Sequence, residues 1–354
     1  MTDRGVAKRR SFAIVLTVAI VSALVSAATA SGAGASTRSR EGFPAPTVYV
    51  TNSQLNTVSV IQGTQLVHTI PHVGQGPVGI AVTPDHSTAY VADFGFFDKS
   101  SHTVTPIDLH TWLPGTPIGV GAGPMEIAIT PDGTTAVVTL QGSSRRAGHN
   151  VVTIDLATRA VSAPIDVGLY PESVAIAPDG KTAYVGAFGS AQVTPVDLTT
   201  SPAHAETPIP LPGSSPRAIA ISPDGATAYV LDAANASITP IDLATGTPGA
   251  PVDLVCHQFG DPGCTPDAIV IDKAGTTAYV AAAGSSDVIV LSLPSLTVER
   301  VMATGGYPDA LGLTPGWFYV ANGASNSVSV FRGGRQPVSV PGLDYPIGIA
   351  VVPG

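Results

Sequence analysis

From residue 46 onward the chain is a succession of short apolar runs, each closed by a turn rich in Pro, Asp and Gly. Runs this short, with Val, Ile, Tyr and Thr prominent, predict strands rather than helices. One run and its turn recur without gaps. Residues 77–91 read PVGIAVTPDHSTAYV, 124–138 PMEIAITPDGTTAVV, 171–185 PESVAIAPDGKTAYV, 216–230 PRAIAISPDGATAYV and 266–280 PDAIVIDKAGTTAYV. A shortened copy, PDALGLTPGWFYV, occupies 308–320, and a truncated one, PIGIAVVPG, ends the chain at 346–354. The leading prolines are 47, 47, 45, 50, 42 and 38 residues apart. Periods of that size holding several strands predict the blades of a propeller, not a helical solenoid.

The copy at 216 shows how a unit is built. Ile219 to Ser222 predicts an inner strand covered on both faces, with Ala218 and Ala220 small enough for the crowded axis. Pro223-Asp224-Gly225 makes the turn, because Pro fixes φ and Gly tolerates positive φ. Ala228-Tyr229-Val230 forms a second strand and Ser237 to Leu243 a third, before a weaker outer strand. The two chain ends are complementary. The last copy has an inner strand but no following turn, whereas Val48-Tyr49-Val50-Thr51-Asn52 has the second strand and nothing before it. The prediction is an all-β, seven-bladed β-propeller whose last blade joins the C-terminal inner strand to N-terminal outer strands, which removes free sheet edges.

Tyr49-Val50-Thr51-Asn52, Tyr319-Val320-Ala321-Asn322 and the P-x-x-I-A-I-x-P-D-G units resemble the YVTN family of β-propeller repeat proteins, over about residues 46–353. That family includes secreted and surface-layer proteins; more distant propellers include lactonases, a lyase and electron-transfer enzymes. The resemblance implies the fold strongly and an activity weakly.

Composition adds a location. Lys8, Arg9 and Arg10 precede an apolar run from Phe12 to about Val25, and Ala28-Thr29-Ala30 offers a small-residue cleavage site. Residues 1–30 are thus expected to be a signal peptide, by either the general or the twin-arginine route, with an uncleaved N-terminal anchor as the alternative. Residues 31–45 are expected to be a flexible linker, and 46–354 the propeller. Without residues 1–30 the chain keeps 12 basic and 24 acidic side chains, a formal charge of −12. Such a surface disfavours nucleic acid and anionic lipid. The expectation is a secreted or cell-surface monomer. Cys256 and Cys264, the only cysteines, are expected to close a loop disulfide in that oxidising setting.

Recurring acidic residues point to structure. The Asp of each PDG turn and of each I-D-L (Asp108, Asp155, Asp197, Asp242) is expected to cap turns, since a catalytic residue would not repeat in every blade. Positions where blades differ are more informative. Just after each leading proline stand Val78, Met125-Glu126, Glu172, Arg217, Asp267, Asp309 and Ile347, all expected near the mouth of the central channel. Related lactonases hold a divalent metal in this region, and hard cations take several oxygen ligands. Glu126, Glu172, Asp267 and Asp309 are the ligands such an ion would have here, with Arg217 opposing it. No cofactor is otherwise implied.

Loops at 93–102 and 141–150, and the segment 252–266, should lie on the same face, where Arg145, Arg146 and His149 form a basic group. No G-x-S-x-G elbow, H-E-x-x-H or haem motif occurs. These features favour a non-catalytic module binding an extracellular protein, glycan or small ligand on its loop-bearing face. The alternative is a metal-assisted lactonase-like hydrolase or lyase at the channel mouth.

Overall fold

The structure, a computed structural model, describes residues 44–95, 101–143, 146–255, 264–333 and 335–354. The expected signal peptide and linker up to residue 43, Cys256 and Arg145 therefore lie outside the described residues. Seven antiparallel sheets carry the strands, and no helix occurs among the described residues. The innermost strands are Pro77–Val82, Pro124–Ile129, Pro171–Ile176, Pro216–Ile221, Pro266–Ile271, Pro308–Thr314 and Pro346–Val352. Each touches the innermost strands of both neighbours, and the last touches the first. The chain is a seven-bladed β-propeller, with blades numbered here one to seven from those strands.

Blade seven closes the ring as the chain ends predict. Pro346–Val352 pairs antiparallel with Thr47–Asn52, aligning Val48 with Val351 and Val50 with Ile349. Thr57–Gln62 and Gln65–Ile70 complete the sheet. Elsewhere the outer strand is the variable one. It is continuous in blade five (Thr297–Ala303) but split into two-residue pieces in blades one, three and four. Pro114, Pro210 and Pro248 sit in those pieces, and a proline cannot donate to a ladder.

The core is distributed. Among the described residues seven apolar clusters form, one at each interface between neighbouring blades. The alternation of the inner strand explains the layering. In blade four Ile219 and Ile221 pack towards blade three, while Ala218 and Ala220 meet blade five. Large faces small at every joint, so the blades approach closely near the axis. The repeated tyrosines Tyr49, Tyr90, Tyr184, Tyr229 and Tyr319 are buried in these layers.

In blades one, six and seven a polar residue ending the second strand ties it to the third. Asn322 Nδ2 donates to Ser329 Oγ at 3.0 Å on the third strand, and its Oδ1 accepts from Gly305 N at 3.1 Å. Asn52 repeats the pattern with Thr57 and Ser59, and Asp93 accepts from Thr103 and Thr105. Aspartates of the turns cap their own loops: Asp132 accepts from Thr130 and Thr134, and Asp242 from Thr245. Those hydrogen bonds hold the Asp132 and Asp242 carboxyls below the usual carboxylate range.

Candidate functional site at the channel mouth

Every innermost strand begins with a break in its ladder. In blades three to six the register shifts between the leading proline and the residue two places on: Pro171/Ser173, Pro216/Ala218, Pro266/Ala268 and Pro308/Ala310. The residue skipped is Glu172, Arg217, Asp267 or Asp309. A bulge residue leaves the ladder unpaired, and bulges re-aim side chains. Four consecutive blades thereby turn a charged group out of the sheet at one height. In blade two the break spans Met125 and Glu126.

These groups assemble around one guanidinium. Arg217 Nε donates to Asp267 Oδ1, and Nη1 donates to Glu172 Oε2. Glu172 Oε1 accepts from Gln141 Nε2 at 2.8 Å, so both its oxygens are engaged. Burial works against the Arg217 charge, but Asp267 and Glu172 outweigh it and hold the group cationic. Asp309 faces Asp267. Burial first, then the charge of Asp267 and a hydrogen bond shared with it, lift the Asp309 carboxyl well above the usual range. Asp309 Oδ2 is buried without a hydrogen-bond partner among the described residues, and a buried carboxyl beside a carboxylate favours its neutral form. Room for Asp309 comes from Gly323, where a Cβ would stand 2.3 Å from Oδ2.

Tyrosines line the same mouth. Tyr307 and Tyr345, each just before a leading proline, have φ of 57° and 47°. Left-handed backbone is uncommon for such residues and is tolerated where surrounding structure imposes it. Burial, followed by the charges of Asp267 and Asp309, raises the Tyr307 phenol. Burial, with Asp309 next, pushes Tyr345 up to about 12. Both phenols keep their protons at neutral pH. The dipeptide Tyr-Pro at 170–171, 307–308 and 345–346 was the available sequence signal for this ring, and spacing alone does not reveal it.

Glu126 is set apart. Its Oε1 lies against the backbone of blade one, 3.2 Å from where a Cβ on Gly79 would be. Burial pushes its carboxyl up to about 7, against a hydrogen bond from Ile127 N and the charge of Arg217. Folding therefore tightens proton binding here. The associated stability is complete below the unfolded value of about 4.3 and is lost as pH rises to about 7. The chain should lose melting temperature between about pH 5 and pH 8, and Glu126→Gln should lose less. Equal losses in a thermal-shift series would remove Glu126 as a source.

Other expected residues lie elsewhere. The segment 141–150 is not a loop: the strands of blade two lengthen to Thr135–Ser143 and Arg146–Asp155, with a bulge at Leu140/Gly142. His149 Nδ1 stands 3.2 Å from Asp166 Oδ2 of the outer strand, and Arg146 is exposed. Residues 96–100 and 256–263 are outside the described set, and with them the Cys256–Cys264 pairing; Cys264 is buried beside Leu254. The carboxylates also do not fit a divalent metal. Glu172 and Asp267 are spent on Arg217, whose charge would repel the ion, and no three His, Cys, Asp or Glu side chains converge as a metal site among the described residues.

The fold has counterparts. A family model described as "Lactonase, 7-bladed beta-propeller" matches residues 170–337, a span containing Glu172, Arg217, Asp267 and Asp309. No curated protein matches the sequence. Among solved structures, the hydrazine synthase of Kuenenia stuttgartiensis is 23% identical, covering 86% of this chain and 99% of that one, with a TM-score of 0.71. A periplasmic gluconolactonase of Pseudomonas aeruginosa is 15% identical over 87% and 99%, with a TM-score of 0.68. A protein of Bacteroides uniformis, provisionally named a 6-phosphogluconolactonase, is 14% identical over 87% and 99%, at 0.71. These likenesses place the chain among propeller proteins. The lactonase match also corrects the expectation of a non-catalytic binding module, because the recognised span is the one that builds the charged cluster.

Proposed function

We propose that the channel mouth hydrolyses a lactone by acid–base chemistry between Asp267 and Asp309, with Arg217 polarising the ring carbonyl. The observation that carries this reading is the buried Oδ2 of Asp309, without a hydrogen-bond partner among the described residues, beside an Asp267 that is ion-paired to Arg217. Paired carboxyls pushed apart in proton affinity are the arrangement that supplies an acid and a base at one pH. Arg217 commits two N–H groups to Asp267 and Glu172, and its side chain stays 27% exposed. Its remaining N–H groups are available to a carbonyl oxygen as negative charge builds there.

The steps balance without a metal. Water attacks the carbonyl carbon and gives its proton to the Asp267 carboxylate. The ring C–O bond breaks, and Asp309 delivers its proton to the departing alkoxide. The product is an open hydroxy acid, and passage of the proton from Asp267 to Asp309 restores the site. Glu172 and Gln141 act as positioning residues that hold Arg217.

Charge at the mouth favours a substrate class. Among the described residues the single guanidinium at the mouth is already matched by Glu172 and Asp267, which leaves no cation of that set for a phosphate. Uncharged polyhydroxy lactones therefore suit it better than phosphorylated ones. In a pH-stat assay glucono-δ-lactone should be opened with kcat/KM at least about tenfold above that for its 6-phosphate, in the presence of chelator. No turnover of either lactone, or turnover abolished by chelation, would sink the reading.

A further inference from the structure

A second cavity opens at the far end of the strands, between blades five and six, with a volume of about 520 Å³. Asp309 begins the inner strand of blade six and Leu313, in the cavity wall, nearly ends it. Four residues of strand separate the two sites by about 13 Å. The wall is aromatic. Tyr279 and Phe318 have centroids 4.7 Å apart, and Phe318 and Phe331 5.7 Å apart. The loop after Phe331 supplies cations. Arg332 lies 4.6 Å above the Trp317 ring, and a turn from Arg335 N to Arg332 O brings Arg335 to the same opening as Arg300.

The charge is what distinguishes this cavity. Arg300, Arg332 and Arg335 are three of the eight lysine and arginine side chains among the described residues. None of the three makes an ion pair there, whereas Arg217 makes two. Burial first raises the Tyr279 hydroxyl, on which Arg300 acts against Asp272 and Glu299; neither carboxylate forms an ion pair with a guanidinium among the described residues. In a chain of net charge −9, unopposed arginines over an aromatic wall favour an anion. Their planar forks suit a carboxylate, and the wall suits a flat ring.

We propose that this cavity is a binding site for a small aromatic carboxylate, its ring on Phe318 and Phe331 and its head between Arg300 and Arg335. It is separate from the hydrolytic site and does not depend on it. The chain has two tryptophans, so ¹⁵N-labelled indoles give two resolvable signals, assigned with Trp112→Phe. Titration of the full chain with 2-naphthoate should shift the Trp317 signal saturably and leave Trp112 still. The neutral 2-naphthamide should bind at least about tenfold more weakly, since charge-assisted hydrogen bonds are the stronger kind. Arg300→Gln with Arg335→Gln should weaken naphthoate by at least about tenfold and leave lactone turnover unchanged. Either arginine alone should fall between. Equal binding of acid and amide, an unaffected double variant, or no saturable shift would each overturn the proposal.

Discussion

Asp309→Asn is expected to lower kcat for lactone hydrolysis by about 10²–10⁴, the range over which a positioned proton donor contributes. The substitution keeps the shape of the carboxyl and removes only its transferable proton. Because burial favours the uncharged form of the Asp309 carboxyl, the variant should stay folded and should gain stability over wild type at alkaline pH. The sign follows from its raised proton affinity. Stability tied to the neutral form is present at low pH and is lost as pH climbs through the folded value, and Asn cannot lose it. Wild-type kcat should decline on the alkaline side as Asp309 gives up its proton, and residual turnover in the variant should lack that decline. A variant within about threefold of wild type would rule Asp309 out as the acid. Stopped-flow or pH-stat kinetics across pH, with melting curves on the same samples, separate the two effects.

Removing residues 344–354 should abolish the folded monomer. This deletes Pro346–Val352, leaving Thr47–Asn52 as an open edge in blade seven. Ile349 and Val351 leave the layer between blades six and seven, and Ala350 and Val352 leave the one between seven and one. Full burial of an Ile or Val contributes roughly 1.5–3 kcal/mol, so the partly buried Ile349, Val351 and Val352 amount to roughly 2–5 kcal/mol, to which loss of the ladder and exposure of the facing layers add. Domain stabilities are about 5–15 kcal/mol, which leaves little or nothing. The hydrogen bonds from Gly348 N to Thr51 Oγ1 and from Tyr345 N to Asn326 Oδ1 go as well. An unpaired strand between two exposed apolar layers is a template for association. Size-exclusion chromatography should show aggregate, and circular dichroism no cooperative melt. Ile349→Ala, which keeps the ladder, should remain a monomer with a melting temperature lower by several degrees. A truncated monomer melting like the full chain would show that closure is dispensable.

The propeller was legible because each blade restates it. The leading proline recurs seven times, the Tyr-Val pair six and the Pro-Asp-Gly turn three, and the two incomplete copies complement each other. Variable elements were less legible. Residues 141–150 carry loop composition (Gly142, Ser143, Gly148), yet 141–143 and 146–150 extend a hairpin that continues into Val151 and Val152, buried on opposite faces. The site was half legible. One position per repeat marks Glu172, Arg217, Asp267 and Asp309, but nothing in a linear chain says that Arg217 reaches both Glu172, 45 residues before it, and Asp267, 50 after. That pairing turns a prospective metal cage into an acid–base cluster. It depends on the angle between blades, which repeat length does not encode. The tyrosines before the prolines were missed for a related reason: they look like further packing residues until their left-handed backbone is seen.

The ladder break behind each leading proline has a consequence for how such a protein can change. A residue there contributes no rung to its sheet, so exchanging it alters the lining of the channel at little cost to the framework. Val78, Met125 and Ile347 can be exchanged one at a time, whereas Glu172, Arg217 and Asp267 are tied to one another by ion pairs and change together. The channel lining can therefore vary position by position in blades one, two and seven, and only as a set in blades three to five.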